Sequence, residues 1–171
     1  MDVIINDTAL REAACKGTDV FLTLVHDKIL EAVGGEVNAK TLPMLNGEQT
    51  TLLAYFILRD EVMDGGFIQL IHNGYGPFIF LNPFAKAMRL WGAHDFSKLI
   101  YKGRKLFEEY SDKLQTDCTD EEFMALYEQY PEFDELDDAF IEMEEEVTYT
   151  IAHYVDENLK CFINGKVIDS K

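Results

Sequence analysis

The chain has 171 residues, of which 32 are acidic and 15 basic, so its net charge is −17. A surface this negative repels DNA, RNA and anionic lipid surfaces, and we expect no direct binding to nucleic acid or membranes. Because 47% of the residues are hydrophobic, a packed core is expected and a disordered chain is not. The length suits one compact domain over residues 1–171.

Several absences favour a cytoplasmic protein. The longest apolar runs, such as residues 52–58, are far shorter than the roughly 20 residues that cross a bilayer. The first residues carry no basic stretch ahead of an apolar one, which is the pattern of a secretory signal. The three cysteines, Cys15, Cys118 and Cys161, have no CxxC spacing and predict free thiols rather than disulfides or a zinc site.

Apolar residues recur at helical spacing through the first two thirds of the chain. The segments with this pattern are residues 19–33, 48–64, 67–73, 83–91 and 96–114. Glycines end or interrupt them, notably Gly34-Gly35 and Gly65-Gly66, and residues 36–47 form a loop. Two apolar runs, residues 78–81 and 161–163, are too short to be assigned as strands. The fold class predicted is mostly α.

The excess of acid is confined to one segment. Residues 108–157 contain 19 acids and a single base, Lys113, whereas the remaining 121 residues carry 13 acids and 14 bases. The segment therefore has a net charge of −18 and the rest of the chain +1. Folding does not require this arrangement, because crowded like charges work against the compact state. A function for the charge is therefore indicated.

The same acidic segment is patterned for helices. Thr119 and Glu122 have the spacing of a capping box. A long amphipathic helix is predicted from about residue 132 to 161, with its acids on the faces away from an apolar stripe. The stripe consists of Phe133, Leu136, Phe140, Met143, Val147, Ile151, Tyr154 and Leu159.

Seven acids of these helices are predicted to bind a partner, and we call them the acidic surface. They are Asp120, Glu121, Asp134, Asp138, Glu142, Glu145 and Glu146. Residues four apart on a helix lie about 6 Å apart along its axis. Phosphates on one DNA strand follow at about 3.4 Å of axis, so rows of carboxylates could present charge on a phosphate-like scale. The alternative is an ordinary solvated helix face.

No arrangement typical of catalysis is found, and an enzyme is not expected. The four histidines form no HExxH pair, and neither a nucleophile elbow nor a P-loop is present. No cofactor, no metal and no catalytic residue is predicted. An enzymatic site at Gly65-Gly66 stays an alternative if a pocket there brings Glu61, Gln69, His72 and Asn73 together.

Residues 61–76, EVMDGGFIQLIHNGYG, resemble the central motif of a bacterial family typified by a DNA-mimic protein. Residues 85–93 and 133–140 are similar to later parts of that family, and the resemblance covers about residues 50–162. Asp64 stands where the family usually has Asn. The motif is interpreted as structural, with a helix junction at the glycines, Phe67 packed inward, and side-chain amides that cap or bridge backbone groups. Its residues are Glu61, Gly65, Gly66, Phe67, Gln69, Asn73 and Gly76.

The resemblance implies a helical homodimer whose acidic surface occupies the DNA-binding face of a regulator. Together with the charge count, it predicts a DNA mimic that binds a basic DNA-binding protein, a regulator or a nucleoid protein, and blocks its access to DNA. The alternative is an immunity-type protein that neutralises a basic partner without imitating a duplex. Charge alone does not separate the two.

Overall fold

The computed structural model describes residues 2–163, and no strand occurs among them. The mostly α fold predicted from the sequence is confirmed. The helices are α1 (Asp7–Lys16), α2 (Thr18–Ala32), α3 (Gly47–His72), α4 (Gly76–Phe80), α5 (Phe84–Leu90), α6 (His94–Leu114), α7 (Asp120–Gln129), α8 (Asp134–Glu157) and α9 (Leu159–Phe162). Short 3₁₀ turns occur at Leu42–Met44 and Pro131–Phe133. No helix in this part of the chain is long and apolar enough to cross a membrane.

The chain divides into two compact units. The first contains residues 1–53 and 148–171, of which 2–53 and 148–163 are described, and the second contains residues 54–147. Both α3 and α8 contribute residues to each unit. The single domain expected from the sequence stays a prediction.

The first unit begins with a helix that the apolar pattern did not predict. Asn6 caps α1, because its side-chain oxygen accepts hydrogen bonds from the backbone N–H groups of Thr8 and Ala9 at 2.8 and 3.3 Å. A hydrogen bond also joins the two chain segments of this unit, because the buried amide of Gln49 donates to the carbonyl of Phe162 at 2.9 Å. The start of α3 and the end of α9 are therefore fastened together.

Aromatic rings fill the core of the second unit. Phe67, Phe80, Phe96 and Phe140 are each at most 2% exposed. The ring of Phe140 lies with its centroid 6.5 Å from that of Phe67 and 5.7 Å from that of Phe96. These are the edge-to-face and tilted distances at which aromatic pairs attract each other. Because Phe140 lies on α8, the core holds the acid-bearing helix in place.

The sequence placed the long C-terminal helix over residues 132–161, and both ends differ in the structure. The chain from Pro131 makes a 3₁₀ turn before α8 begins, and α8 ends at Glu157. At the C-terminal end, Asn158 leaves the helical conformation, and its side-chain amide donates to the carbonyl of Tyr154. This local bond competes with the helix, and α9 then follows as a separate turn. The apolar runs at 78–81 and 161–163 lie within or at the ends of α4 and α9 rather than in strands.

Candidate functional site

The five acids of the acidic surface that lie on α8 share one face of that helix. At about 100° per residue, Asp134, Asp138, Glu142, Glu145 and Glu146 fall within an arc of about 120° and extend over about 18 Å of axis. All five are exposed. Phe133, Leu136 and Phe140, which belong to the apolar stripe, occupy the opposite arc and are buried. The carboxylates therefore form one contiguous negative face of α8.

The two remaining acids of the acidic surface lie in the first turn of α7. Asp120 and Glu121 are exposed there. The helix begins with a complete capping box, since Thr119 accepts from the N–H of Glu122 at 3.2 Å and Glu122 accepts from the N–H of Thr119 at 2.8 Å. The capping box predicted from the sequence is confirmed. Negative side chains at this end are also favoured by the helix dipole.

Some acids of the segment are occupied within the molecule and do not contribute to this surface. Glu144 is 8% exposed, and its carboxylate lies 2.6 Å from the guanidinium of Arg59. Glu108 lies 2.8 Å from Arg104 one turn earlier on α6. Among residues 2–163, no such ion pair with Lys or Arg is made by six acids of the acidic surface, namely Asp120, Glu121, Asp134, Asp138, Glu142 and Glu145. Two further acids of the segment, Glu109 and Glu132, act on Tyr110. They raise the pKa of Tyr110 to about 12, chiefly through its hydrogen bond to Glu109.

Asp137 differs from the other acids of α8, because it points inward and is half-buried. Its Oδ1 accepts a hydrogen bond from the backbone N–H of Phe67 at 2.8 Å. Burial raises the pKa of Asp137 to about 6, and the charges of Asp134 and Asp138 add to the rise, while the bond from Phe67 opposes it. Asp137 thus contributes a hydrogen bond within the fold rather than a charge to the acidic surface.

That hydrogen bond ends at the glycine break in α3. Gly65 and Gly66 leave the helical conformation, and Gly66 adopts φ +74° and ψ −178°, which favours glycine strongly. A Cβ at Gly66 would lie 2.3 Å from a carboxylate oxygen of Asp137. On the other side, the hydroxyl of Tyr127 donates to the carbonyl of Gly65 at 2.6 Å. The break is therefore a junction at which α3, α7 and α8 meet.

The polar side chains of the motif form a second cluster beside the break. Gln69 donates to the carboxylates of Glu61 and Asp64 at 3.1 and 2.9 Å, and Asn73 donates to Glu61 at 2.8 Å. From the sequence, we expect these amides to cap or bridge backbone groups, whereas in the structure they donate to carboxylates. Two of these side chains, Glu61 and Asp64, precede the glycine break, and the two amides follow it. The side chains therefore bond to one another across the break. A Cβ at Gly65 would overlap the side chain of Gln69, at 2.0 Å from its Oε1.

The other two motif positions serve packing. Phe67 is fully buried. Gly76 is buried at the start of α4, where a Cβ would lie 2.3 Å from the ring of Phe107. His72, the remaining residue of the enzymatic alternative, has its Nδ1 2.8 Å from the carbonyl of Leu114 and its ring against Phe123. Among residues 2–163, no three His, Cys, Asp or Glu side chains are grouped as metal ligands.

Sequence reasoning missed the roles of Asp137 and Tyr127. A signal for Asp137 existed, since it stands four residues after Phe133 and three before Phe140, on the edge of the apolar stripe. An acid in that position must either be solvated at the rim of the core or be bonded within it. Tyr127 gave no comparable signal, because its partner is a backbone carbonyl 62 residues away.

The fold and the exposed carboxylates define a helical, strongly acidic protein. Residues 44–158 match the family described as DMP19-like protein, and the chain belongs to this family. Membership confirms the resemblance predicted from the sequence. A relative, the DNA mimic protein DMP19 of Neisseria meningitidis serogroup B, is 34% identical over 124 residues, which cover 72% of this chain and 75% of that protein.

Proposed function

We propose that this protein is a non-enzymatic DNA mimic that binds a basic DNA-binding protein, a regulator or a nucleoid protein, and blocks its access to DNA. The observation that carries the proposal is the single exposed face of carboxylates on α8. The relative's name, DNA mimic protein, supports the same function for this chain. The high acid content is then explained by binding rather than by folding.

The spacing of the carboxylates suits this role. Asp134, Asp138, Glu142 and Glu146 follow one another at four-residue intervals, or about 6 Å of helix axis. Every second phosphate of a DNA strand advances by about 6.8 Å along the duplex axis. A basic protein that spaces its Lys and Arg side chains for phosphates can therefore meet several carboxylates of the row at once. Such charge-assisted hydrogen bonds are strong at short range.

Electrostatic attraction would also govern how fast the complex forms. The single base between residues 108 and 157 leaves a coherent negative potential, which steers a positive partner toward α7 and α8. Such an association weakens with salt, because at roughly 0.5 M the screening length falls well below 10 Å. We expect the complex to dissociate at about that concentration.

Two exposed apolar side chains lie close in sequence to the carboxylates. Ile141 on α8 is 54% exposed, and Met124 on α7 is 63% exposed. Ile141 falls about 20° from Asp134 on the helical wheel, at the border of the acidic arc. Apolar groups of this kind supply short-range contacts that a duplex lacks, so they favour a dedicated protein partner over any cation that happens to be attracted.

The test begins with the tagged protein and lysate of its host at low salt. The captured partner is identified, purified and bound to a DNA duplex, and the protein is then titrated into that complex. We expect DNA to be released. The variant Asp138→Asn, Glu142→Gln, Glu145→Gln, Glu146→Gln should lose the partner, because it removes four charges from one face of α8.

A matched control makes the same change of charge elsewhere. Asp2→Asn, Glu12→Gln, Glu36→Gln and Asp60→Asn together remove four exposed carboxylates outside residues 108–157. This control should retain most of the binding. If both quadruple variants bind equally well, the acidic surface is not the binding site and the proposal fails.

The competition step separates the proposal from its alternative. An immunity-type protein that neutralises a basic partner at another site would give a ternary complex, with DNA still bound. Release of DNA by the protein, in proportion to the partner bound, supports mimicry. Retention of DNA at saturation would refute mimicry while leaving the protein–protein interaction intact.

We further propose that the protein is a cytoplasmic homodimer, as the family resemblance implies. Light scattering on a size-exclusion column should then give twice the 19.6 kDa mass of the chain. A mass of one chain at micromolar concentration would contradict the dimer without affecting the test of mimicry. Fractionation of host cells would check the location.

A further inference from the structure

The bases of this acidic chain are also concentrated, on α5 and α6. Residues 84–106 contain six bases and one acid, Asp95. The bases are Lys86, Arg89, Lys98, Lys102, Arg104 and Lys105. With a local net charge of +5 in a chain of net charge −17, this is the most positive stretch of the sequence, where an anion would be attracted rather than repelled.

A small pocket lies within this basic region, between α6 and the connection from α4 to α5. Its volume is about 180 Å³. Phe80 and Ile100, which are 2% and 1% exposed, form its apolar floor. Lys86, Tyr101 and Arg104 line it with polar groups, and no carboxylate is among its lining residues in the described part of the chain. The pocket is therefore cationic at its rim and apolar at its base.

The donors of this pocket are available to a ligand. Within residues 2–163, Lys86 makes no ion pair. Arg104 uses its Nε for Glu108, which leaves the four N–H groups of its terminal nitrogens for another acceptor. Tyr101 is 48% exposed and adds a hydroxyl. Together these groups supply two positive charges and several hydrogen-bond donors.

A neighbouring groove on α6 also contains lysines but is less suited to an anion. Lys102 and Lys105 line that groove, but Glu132 and Glu135 line it as well. Its own carboxylates compete with any incoming anion for the lysines. Among residues 2–163 the smaller pocket has no such competitor in its lining, and Glu108 acts on it from outside, through Arg104.

We propose that the pocket of Lys86, Tyr101 and Arg104 binds a phosphate group, either as free phosphate or as the monoester of a small metabolite. Two cations match the charge of a phosphate near neutral pH, whereas a carboxylate carries a single charge. The guanidinium group donates two parallel hydrogen bonds to phosphate oxygens. A volume equal to about six water molecules admits a phosphate and a few further atoms.

The test is a titration followed by NMR of the backbone amides, at constant ionic strength and neutral pH. One arm uses inorganic phosphate, a second uses glycerol 3-phosphate, and a third uses acetate. We expect saturable shifts at Ala85, Lys86 and Tyr101 in both phosphate arms. Tighter binding of glycerol 3-phosphate would assign a monoester as the ligand, and tighter binding of phosphate would assign the free ion.

Variants connect those shifts with the pocket. Lys86→Gln and Arg104→Gln should each weaken phosphate binding about tenfold, because each removes a charged donor. Glu108→Gln should strengthen it about threefold, since it frees Arg104 from its carboxylate. Lys98→Gln is the matched control, because Lys98 lies on the same helix but is paired with Asp95 at 2.8 Å and lies outside the pocket.

Two results would overturn the proposal. One is acetate binding as tightly as phosphate, which would make the pocket a general anion site. The other is a phosphate response that the Lys86 and Arg104 variants leave unchanged or that Lys98→Gln weakens equally. All four substitutions are at exposed positions, so the variants should fold, and their amide spectra verify this directly.

Discussion

Asp137 is the carboxylate whose removal should change the pH dependence of stability. Its raised pKa, about 6 against 3.8 for an ordinary Asp, results mainly from burial beside the glycine break. Asp137→Asn removes the titrating group but keeps a side-chain oxygen that can accept the hydrogen bond from the N–H of Phe67. The substitution therefore isolates the charge from the hydrogen bond.

The sign follows from proton binding. Between about pH 4 and pH 6 the folded protein holds a proton on Asp137 that the unfolded chain has released, so stability falls as the pH rises through this window. A shift of two pKa units corresponds to about 3 kcal/mol. Because Asp137 is only half-buried, solvent screening reduces this to about 1–2 kcal/mol. Above about pH 6 the whole penalty is present.

Urea unfolding followed by circular dichroism, at steps between about pH 4 and pH 7.5, measures the effect. The free energy of unfolding of Asp137→Asn minus that of the wild type should rise by about 1–2 kcal/mol across the window. Asp60→Asn, which removes an exposed carboxylate in the same unit, should show a much smaller change. If the two variants give the same flat difference, Asp137 titrates as a solvated carboxylate and the reasoning from burial is wrong.

Three further substitutions test other contacts by the same measurement. Gly66→Ala should lower the free energy of unfolding by about 2–4 kcal/mol, since it combines a positive φ with an overlap on the carboxylate behind it. Thr119→Ala should cost about 1 kcal/mol by opening the capping box of α7. Arg59→Met should cost about 3 kcal/mol, because it removes the guanidinium that lies 2.6 Å from the buried carboxylate of Glu144.

Each of these has a control on the same chain. Gly47→Ala changes a helical glycine with open space around it and should be neutral or slightly stabilising. Thr119→Ser keeps the capping hydroxyl and should restore most of the loss. Arg11→Met breaks an exposed pair with Asp7 and should cost less than about 1 kcal/mol. Equal costs for Arg59→Met and Arg11→Met would contradict the argument that burial makes the loss of the Arg59–Glu144 pair more costly.

The spacing of apolar residues, together with the glycines that end or interrupt helices, was sufficient to predict most of the helices. The break at Gly65-Gly66, the capping box at Thr119 and the buried stripe of α8 follow from local rules, because glycine, threonine and apolar spacing act within a few residues. The first helix was missed because its apolar face is narrow, with only Leu10 and Ala13 buried. Amphipathic spacing is the signal for a helix, and two residues do not establish it.

The partners of the carboxylates were beyond local rules. In the run Glu142 to Glu146, all four acids are glutamates and have the same helix propensity. The structure separates Glu144 from Glu145 by the 100° turn of the helix and supplies Arg59 from α3, 85 residues earlier. The partner of Asp137 is likewise a group on another helix, the backbone N–H of Phe67 on α3. Such assignments depend on which helices pack together, and composition does not contain that information.

This distinction decides how the binding experiment must be built. A variant that neutralised every acid of α8 would include Asp137 and Glu144, and their loss acts on the fold through Phe67 and Arg59 rather than on a partner. Failure of that variant to bind could then be explained by partial unfolding, because neutralising Glu144 breaks its buried pair with Arg59. Restricting the change to exposed carboxylates leaves both internal contacts intact. Loss of binding at unchanged stability can then be attributed to the acidic surface alone.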